Sequence, residues 1–264
     1  MYDFDYHKPI SLDEAARLLS AKGDSKLLAG GMSLIPSLKM RLNRYAALID
    51  LGALQDIKGI RRDGDALVIG AMTPHAMVAA SAEVQTILPA IASLAEGIGD
   101  PLVRNRGTMG GSMANADPAA DYPAAIVGLG ATVVTNKRQI AGDDFFKGVF
   151  ETALQADEII LSVRFPIPEK AAYAKYRQPA SRFAIVGVFV SKSANGVRVA
   201  VTGAAPSVFR FVAAEAALAK RFDPAALDGI TIKADDLNAD IHAGADYRAH
   251  CVVEMTRRAV LAAR

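Results

Sequence analysis

Two Gly-Gly pairs constrain this chain more than any other feature: Gly30-Gly31 in LLAGGMSLIPSLKMRL (27–42) and Gly110-Gly111 in RNRGTMGGSMANADPAADYP (104–123). Each follows an apolar or turn-like stretch, each is followed closely by a serine (Ser33, Ser112), and each runs into a helix-like segment. Neither fits GxGxxG or GxxxxGKS/T, so neither is a Rossmann fingerprint or a P-loop. Taken singly, each pair reads as a tight turn into a helix. Taken together they suit a pair of backbone cradles. Glycine lacks Cβ, so N–H groups can converge on an anion, and a helix start adds a favourable dipole. Two such segments fit one diphosphate held from both sides, with Ser33 and Ser112 each able to donate one more hydrogen bond.

Bulk properties remove other classes. The 264 residues are 52% hydrophobic and 22% charged, enough for a large core or several small ones and unlike a disordered chain. Net charge is +2 with no basic block, so nucleic acid is not indicated. No apolar run is long enough to span a bilayer, and the opening MYDFDYHKPI lacks a signal-peptide pattern, which predicts a cytoplasmic protein. Cys251 is the single cysteine, so this chain carries neither a disulfide framework nor a cysteine-ligated zinc or iron–sulfur site. It reads as a packed thiol. His7, His75, His242 and His250 are scattered without a metal-binding spacing and read as surface or satisfied core residues.

The elements are mixed. Ser11 and Glu14 have capping-box spacing ahead of a helix that Gly23 can stop. Strands are expected at 26–30 and 46–51 around a short helix at 36–42, and a hairpin turn at Asp63-Gly64. A helical stretch is expected from about 73 to 94, broken near Pro89, and another from Pro118 to Leu129 with Asp117-Pro118 as its start. On that reading Asp117 and Asp121 are helix-start carboxylates. ATVVTN (131–136) and EIILSVRF (158–165) read as strands, and Pro166 and Pro168 as a boundary. Asn195-Gly196 signals a second hairpin, and helices are expected near 211–221 and 246–263. The order predicts α+β subdomains rather than a doubly wound sheet.

The two glycine motifs, in this order and separation, resemble the FAD-binding subunit of molybdenum hydroxylases, on the branch of the carbon monoxide dehydrogenase medium subunit and the flavin domain of xanthine dehydrogenase. The likeness extends to YHKPISLDEAARLL, IILSVRFP, AKYRQPASRFAIVGV and DLNADIHAGADYRAHCVVEMTRRAV. It implies an α+β, two-lobed FAD-binding fold of the vanillyl-alcohol-oxidase type with a C-terminal α+β domain, divided as 1–55, 56–168 and 169–264. It also implies that Leu28, Ala29, Gly30, Gly31, Met32, Ser33 and Leu34 wrap the pyrophosphate of non-covalent FAD, with Thr108, Met109, Gly110, Gly111 and Ser112 gripping it from the other side. Ile98 matches a position beside the nucleotide, Asp121 an acid near the cofactor, and Leu161 a flavin-contacting backbone position. Lys175, or Arg177 after a small shift of alignment, matches a lysine at the flavin's polar edge. Phe183 matches the residue over one ring face.

The resemblance further implies a chain without its own catalytic side chains or metal. It would take electrons from iron–sulfur clusters and pass them to an external acceptor. The molybdenum cofactor and [2Fe–2S] clusters would lie on a large molybdopterin subunit and a small iron–sulfur subunit, in a dimer of heterotrimers. A self-contained flavin oxidase of the same superfamily, or a non-enzymatic binding protein that retains the fold, would be the competing readings.

Overall fold

The computed structural model describes residues 1–21 and 23–264, and three main sheets organise them. The first is parallel. Strands β1 (Asp5–His7), β2 (Ser25–Leu28) and β3 (Ala47–Asp50) lie in the order β1-β3-β2, with α1 (Leu12–Ala21) and α2 (Leu34–Lys39) in the connections. The Ser11 hydroxyl accepts from Glu14 N at 3.2 Å, while Glu14 reaches back to Ile10 N at 3.0 Å, one residue short of a full capping box. Helix α2 starts two residues earlier than the sequence predicts and ends before Arg41, which takes a left-handed φ of 58°.

The second sheet has the order β4-β5-β10-β6-β7 and is antiparallel. It comprises β4 (Ile60–Asp63), β5 (Ala66–Gly70), β6 (Thr132–Thr135), β7 (Gln139–Ala141) and β10 (Ile160–Pro166), and a small hairpin, β8 (Phe146–Gly148) with β9 (Glu151–Thr152), lies after the short α9 (Gly142–Phe145). The first hairpin forms, but its two-residue turn is Gly64-Asp65, because Asp63 pairs with Ala66. Between β5 and β6 run α3 (His75–Ala80), α4 (Ala82–Ile87), α5 (Pro89–Glu96), α6 (Pro101–Arg106), α7 (Met109–Asn115) and α8 (Tyr122–Leu129). The expected helical stretch from 73 to 94 is therefore three helices. Ser81 caps α4 by accepting from Val84 N, and Pro89 opens α5. These helices and the sheet bury one large core around Tyr122, Phe145, Phe165 and Phe189.

Two sequence expectations need correction here. The second Gly-Gly-Ser is not a turn ahead of a helix; it is itself the first turn of α7, capped by Thr108. Asp117 does not begin a helix: it forms a turn by accepting from Ala119 N at 2.9 Å, and α8 begins at Tyr122. Ala116, with φ 46°, ends α7 in the left-handed region, so the chain turns away before Pro118 can start a helix.

The third sheet, β11 (Lys170–Arg177), β12 (Ala184–Ser193), β13 (Gly196–Thr202) and β14 (Phe209–Arg210), is an antiparallel meander. Ser193 pairs with Gly196, so its turn is Ala194-Asn195 and Gly196, at φ 113°, follows it. Helices α10 (Val212–Lys220) and α11 (Ala245–Ala262) cover one face, burying Val188, Val199, Leu218, Val252 and Met255. Cys251 is buried on α11, and desolvation pushes its thiol pKa up. Among the described residues no helix is long and apolar enough to cross a membrane, and no cluster of His, Cys, Asp or Glu could hold a metal ion.

Candidate cofactor site between two glycine segments

The first glycine segment connects β2 to α2. Gly31 sits at φ 76°, a conformation that costs an L side chain strain. The first helical bonds run from Ile35 N to Gly31 O (3.0 Å) and from Ser37 N to Ser33 O (3.2 Å). The N–H groups of Gly30, Gly31, Met32 and Ser33 precede them and donate to no acceptor among the described residues. Ser33 occupies the cap position of α2, yet its hydroxyl makes no cap bond. Successive free amides, a left-handed glycine and a free hydroxyl make a donor-rich stretch suited to an anion.

The second segment stands directly against the first. A Cβ on Gly30 would lie 2.0 Å from Arg106 O and 2.7 Å from Gly107 Cα, and one on Gly111 would lie 3.3 Å from Ala29 Cβ. The two segments therefore face one another at glycine-limited distance. Their amides differ, however. Met109 N donates to Thr73 O (3.1 Å), Gly110 N to Ala71 O (2.8 Å), Gly111 N to Thr108 Oγ1 (3.1 Å) and Ser112 N to Thr108 O (3.0 Å). The amides expected to grip a phosphate are already engaged within the protein. Thr108, Met109 and Gly110 are buried, and what remains on this side is the half-buried Ser112, whose hydroxyl has no partner among the described residues.

Beneath the second segment lies His75, the first residue of α3, whose N–H donates to Gly107 O at 3.0 Å. A Cβ on Gly107 would come within 2.7 Å of His75 Nε2. Burial, with a smaller contribution from the Arg104 charge, lowers the imidazole pKa to about 4. His75 is thus a neutral core residue at ordinary pH, but not a satisfied one: its Nδ1 and the hydroxyl of Tyr122, whose ring centroid lies 5.4 Å away, are buried without hydrogen-bond partners among the described residues.

A polar cluster sits where α8 meets the third sheet. Asp121, only 4% exposed, accepts from Lys175 Nζ at 3.0 Å and from the Tyr173 hydroxyl. Desolvation raises its carboxyl pKa, opposed by the Lys175 charge and by both hydrogen bonds. Lys175 Nζ also donates to Gly97 O (2.8 Å) and Arg182 O (3.0 Å), so all three of its protons are committed. Arg104 holds Ile98 O (2.9 Å) and Gly99 O (3.1 Å), and Arg182 reaches Gly99 O at 3.1 Å. Three cations therefore pin three consecutive carbonyls around Ile98, itself half-buried.

Leu161 is the residue at which the β10–β6 register shifts. It packs on the core of the first sheet with Ile159 and Met72, and its carbonyl accepts from Ala71 N at 2.9 Å. It sits at the seam between the first two sheets. Arg177 ends β11 and is exposed. Phe183, 45% exposed, closes a turn in which Gln178 N donates to its carbonyl at 2.9 Å. The structure thus brings the two glycine segments together, and joins Asp121 to Lys175 and the Ile98 loop. Sequence reasoning missed Tyr173, Arg104 and Arg182. The alternation of Tyr173 and Lys175 on one strand face was the available signal for the first of these.

Residues 2–168 match the family described as the FAD binding domain in molybdopterin dehydrogenase. The chain belongs to that family. Over its length it is similar to the carbon monoxide dehydrogenase medium chain of Hydrogenophaga pseudoflava, 37% identical with 98% of this chain and 96% of the relative covered. It is also similar to the nicotine 6-hydroxylase medium subunit of Paenarthrobacter nicotinovorans, 35% identical with 98% and 96% covered. Among solved structures, reconstituted CO dehydrogenase from Oligotropha carboxidovorans superposes with a TM-score of 0.90 at 33% identity, covering 98% of this chain and 97% of that one. As a family member, the chain is the FAD-binding medium subunit of a molybdenum-containing oxidoreductase. The residues fit the flavin dinucleotide on this structure's own terms. The first segment presents unpaired donors, and no side chain can grow from Gly30 or Gly111 into the contact between the two segments.

Proposed function

We propose that this chain carries non-covalent FAD as the electron-transfer subunit of a molybdenum hydroxylase complex. It would receive electrons from the iron–sulfur clusters of a small partner subunit and deliver them to an external acceptor. A large molybdopterin subunit would complete the assembly as a dimer of heterotrimers in the cytoplasm. The observation that carries this reading is the run of unpaired amides from Gly30 to Ser33, set at contact distance from the second glycine segment.

In this proposal the amides of Gly30, Gly31, Met32 and Ser33 bind the diphosphate, flanked by Leu28, Ala29 and Leu34, and the Ser33 and Ser112 hydroxyls add donors from either side. Thr108, Met109, Gly110 and Gly111 brace the cradle. Ile98 and Leu161 line the path towards the ring, Asp121 and Lys175 set the charge beside it, and Phe183 covers a face. Bound FAD supplies the chemistry, storing two electrons that arrive singly. The chain's own residues bind, orient and insulate it.

The medium chains that resemble this one serve complexes named for carbon monoxide and nicotine, so the oxidised substrate is not written in this subunit. The test is direct. Purified chain should be yellow, release FAD into the supernatant on acid precipitation, and regain its visible spectrum when apoprotein is mixed with FAD. Failure to bind FAD on reconstitution with excess cofactor would overturn the reading.

A further inference from the structure

Asp121 carries a charge in a nearly dry place, and its surroundings show how that charge is kept. On its own helix the neighbour is Tyr122, whose hydroxyl is unpartnered, and beyond that ring lies the neutral His75 of α3. From β11 come Tyr173 and Lys175. From the turn after β11 the Arg182 carbonyl shares the Lys175 ammonium, and from α6 Arg104 binds the Ile98 carbonyl, next to the Gly97 carbonyl that Lys175 holds. From β13, the buried Thr202 hydroxyl lies 2.9 Å from Pro118 O and 2.7 Å from Ala120 O. Among the described residues, Lys175 is the one cation in contact with the carboxylate, and Tyr173 the one neutral donor to it.

The room for Tyr173 is built into the sheet. Its hydroxyl occupies a notch at Gly187 on β12, where a Cβ would lie 2.2 Å from the phenol oxygen and 2.9 Å from Thr202 Cγ2. Any side chain at 187 would push the hydroxyl out of its place. Its ring already stacks on Phe189 at 6.3 Å. A phenylalanine at 173 would keep that stacking and lose only the bond to Asp121.

We propose that Tyr173 is a positioning residue whose hydroxyl, seated in the Gly187 notch, fixes both the direction and the charge of Asp121 and so the balance that the Asp121–Lys175 pair presents to the bound flavin. The proposal rests on the FAD reading above for its functional meaning, while the geometry that carries it is independent of any ligand. The physical logic is simple. A buried carboxylate that loses a donor binds its proton more tightly. Once it is protonated, the Lys175 ammonium stands uncompensated beside the cofactor site.

The experiment uses the full-length protein, with and without FAD, as wild type, Tyr173→Phe, Gly187→Ala and Asp121→Asn. The carboxylic-acid carbonyl stretch of Asp121, assigned by its absence in Asp121→Asn, is followed by infrared spectroscopy against pH. The expected result is that Tyr173→Phe and Gly187→Ala each raise the midpoint of that band by at least about one pH unit, a tenfold gain in proton affinity. FAD affinity in both should change through the same midpoint and stay flat across it in Asp121→Asn. Coincident midpoints in wild type and Tyr173→Phe would overturn the proposal. So would a shift in Tyr173→Phe that Gly187→Ala does not share, since the notch would then be irrelevant. If wild type binds no FAD, the flavin reading fails while the infrared titration still decides the role of Tyr173.

Discussion

The two glycine segments look alike in sequence and behave differently in the fold. At Gly30-Gly31 the chain leaves its amides open; at Gly110-Gly111 every N–H from Met109 to Ser112 is already paired. The difference lies in what precedes each pair. Thr108 is a strong helix cap and Ala71 and Thr73 lend carbonyls, so the second segment becomes a sealed helix start. No capping bond forms at Ser33, and Gly31 turns left-handed instead. A repeated dipeptide thus supplies one donor surface and one rigid wall behind it.

Substituting the glycines tests this contrast most strongly. Gly30→Ala places Cβ on a backbone carbonyl and should cost about 3 kcal/mol of stability as well as weakening FAD binding by about 100-fold. Gly110→Ala meets Ala71 at 2.5 Å and should cost a similar amount, lowering Tm by roughly 6–12 °C. The protein that remains folded should keep its FAD affinity within about threefold. Thermal melts with parallel fluorescence titrations separate the two. Equal losses of affinity would erase the distinction between surface and wall.

The histidine under the wall provides a pH test. Its folded pKa, about 4, lies below the ordinary value of 6.5, so the unfolded chain takes up the proton first. Stability from the neutral imidazole is whole above pH 6.5 and drains as pH falls towards 4, by about 3 kcal/mol in all. Denaturant melts at pH 7 and pH 4 should show a drop in wild type that His75→Phe reduces by about that amount; parallel pH dependences would contradict the burial argument.

The smallest effects separate the segments most cleanly. Thr108→Ala removes a cap and should cost about 1 kcal/mol of stability. Ser33→Ala should leave the melt within about 0.5 kcal/mol and weaken FAD by about tenfold or somewhat more, the loss of one donor to a charged group. A paired comparison of Tm and Kd would show whether hydroxyl roles follow the amides.

Local chemistry made much of this legible in the sequence. Ser11 with Glu14, Gly64 and Gly196 at the hairpins, and Pro89 at a helix start act through neighbours a few residues away, and each left its mark within a residue or so. The glycine segments were visible, but not their division of labour, because that depends on Ala71 and Thr73, more than thirty residues upstream of the second pair. Asp121 read as a helix-start carboxylate because its partners, Tyr173 and Lys175, lie on a strand whose pairing no local pattern announced. The broken start of α8 likewise follows from Ala116 turning left-handed.

The hold of the third sheet on the 118–121 turn has a practical corollary. Residues 2–168 match the family's FAD-binding domain, yet Ala119 O accepts from Ala184 N, Pro118 O from Gly203 N, and Asp121 from Tyr173 and Lys175. Cutting the gene at the recognisable border would leave those acceptors stranded and a buried charge without its counterion. The portion that matches the FAD-binding family is therefore smaller than the portion that must be expressed together, and anyone trimming this subunit for crystallography or engineering should keep the β-meander attached.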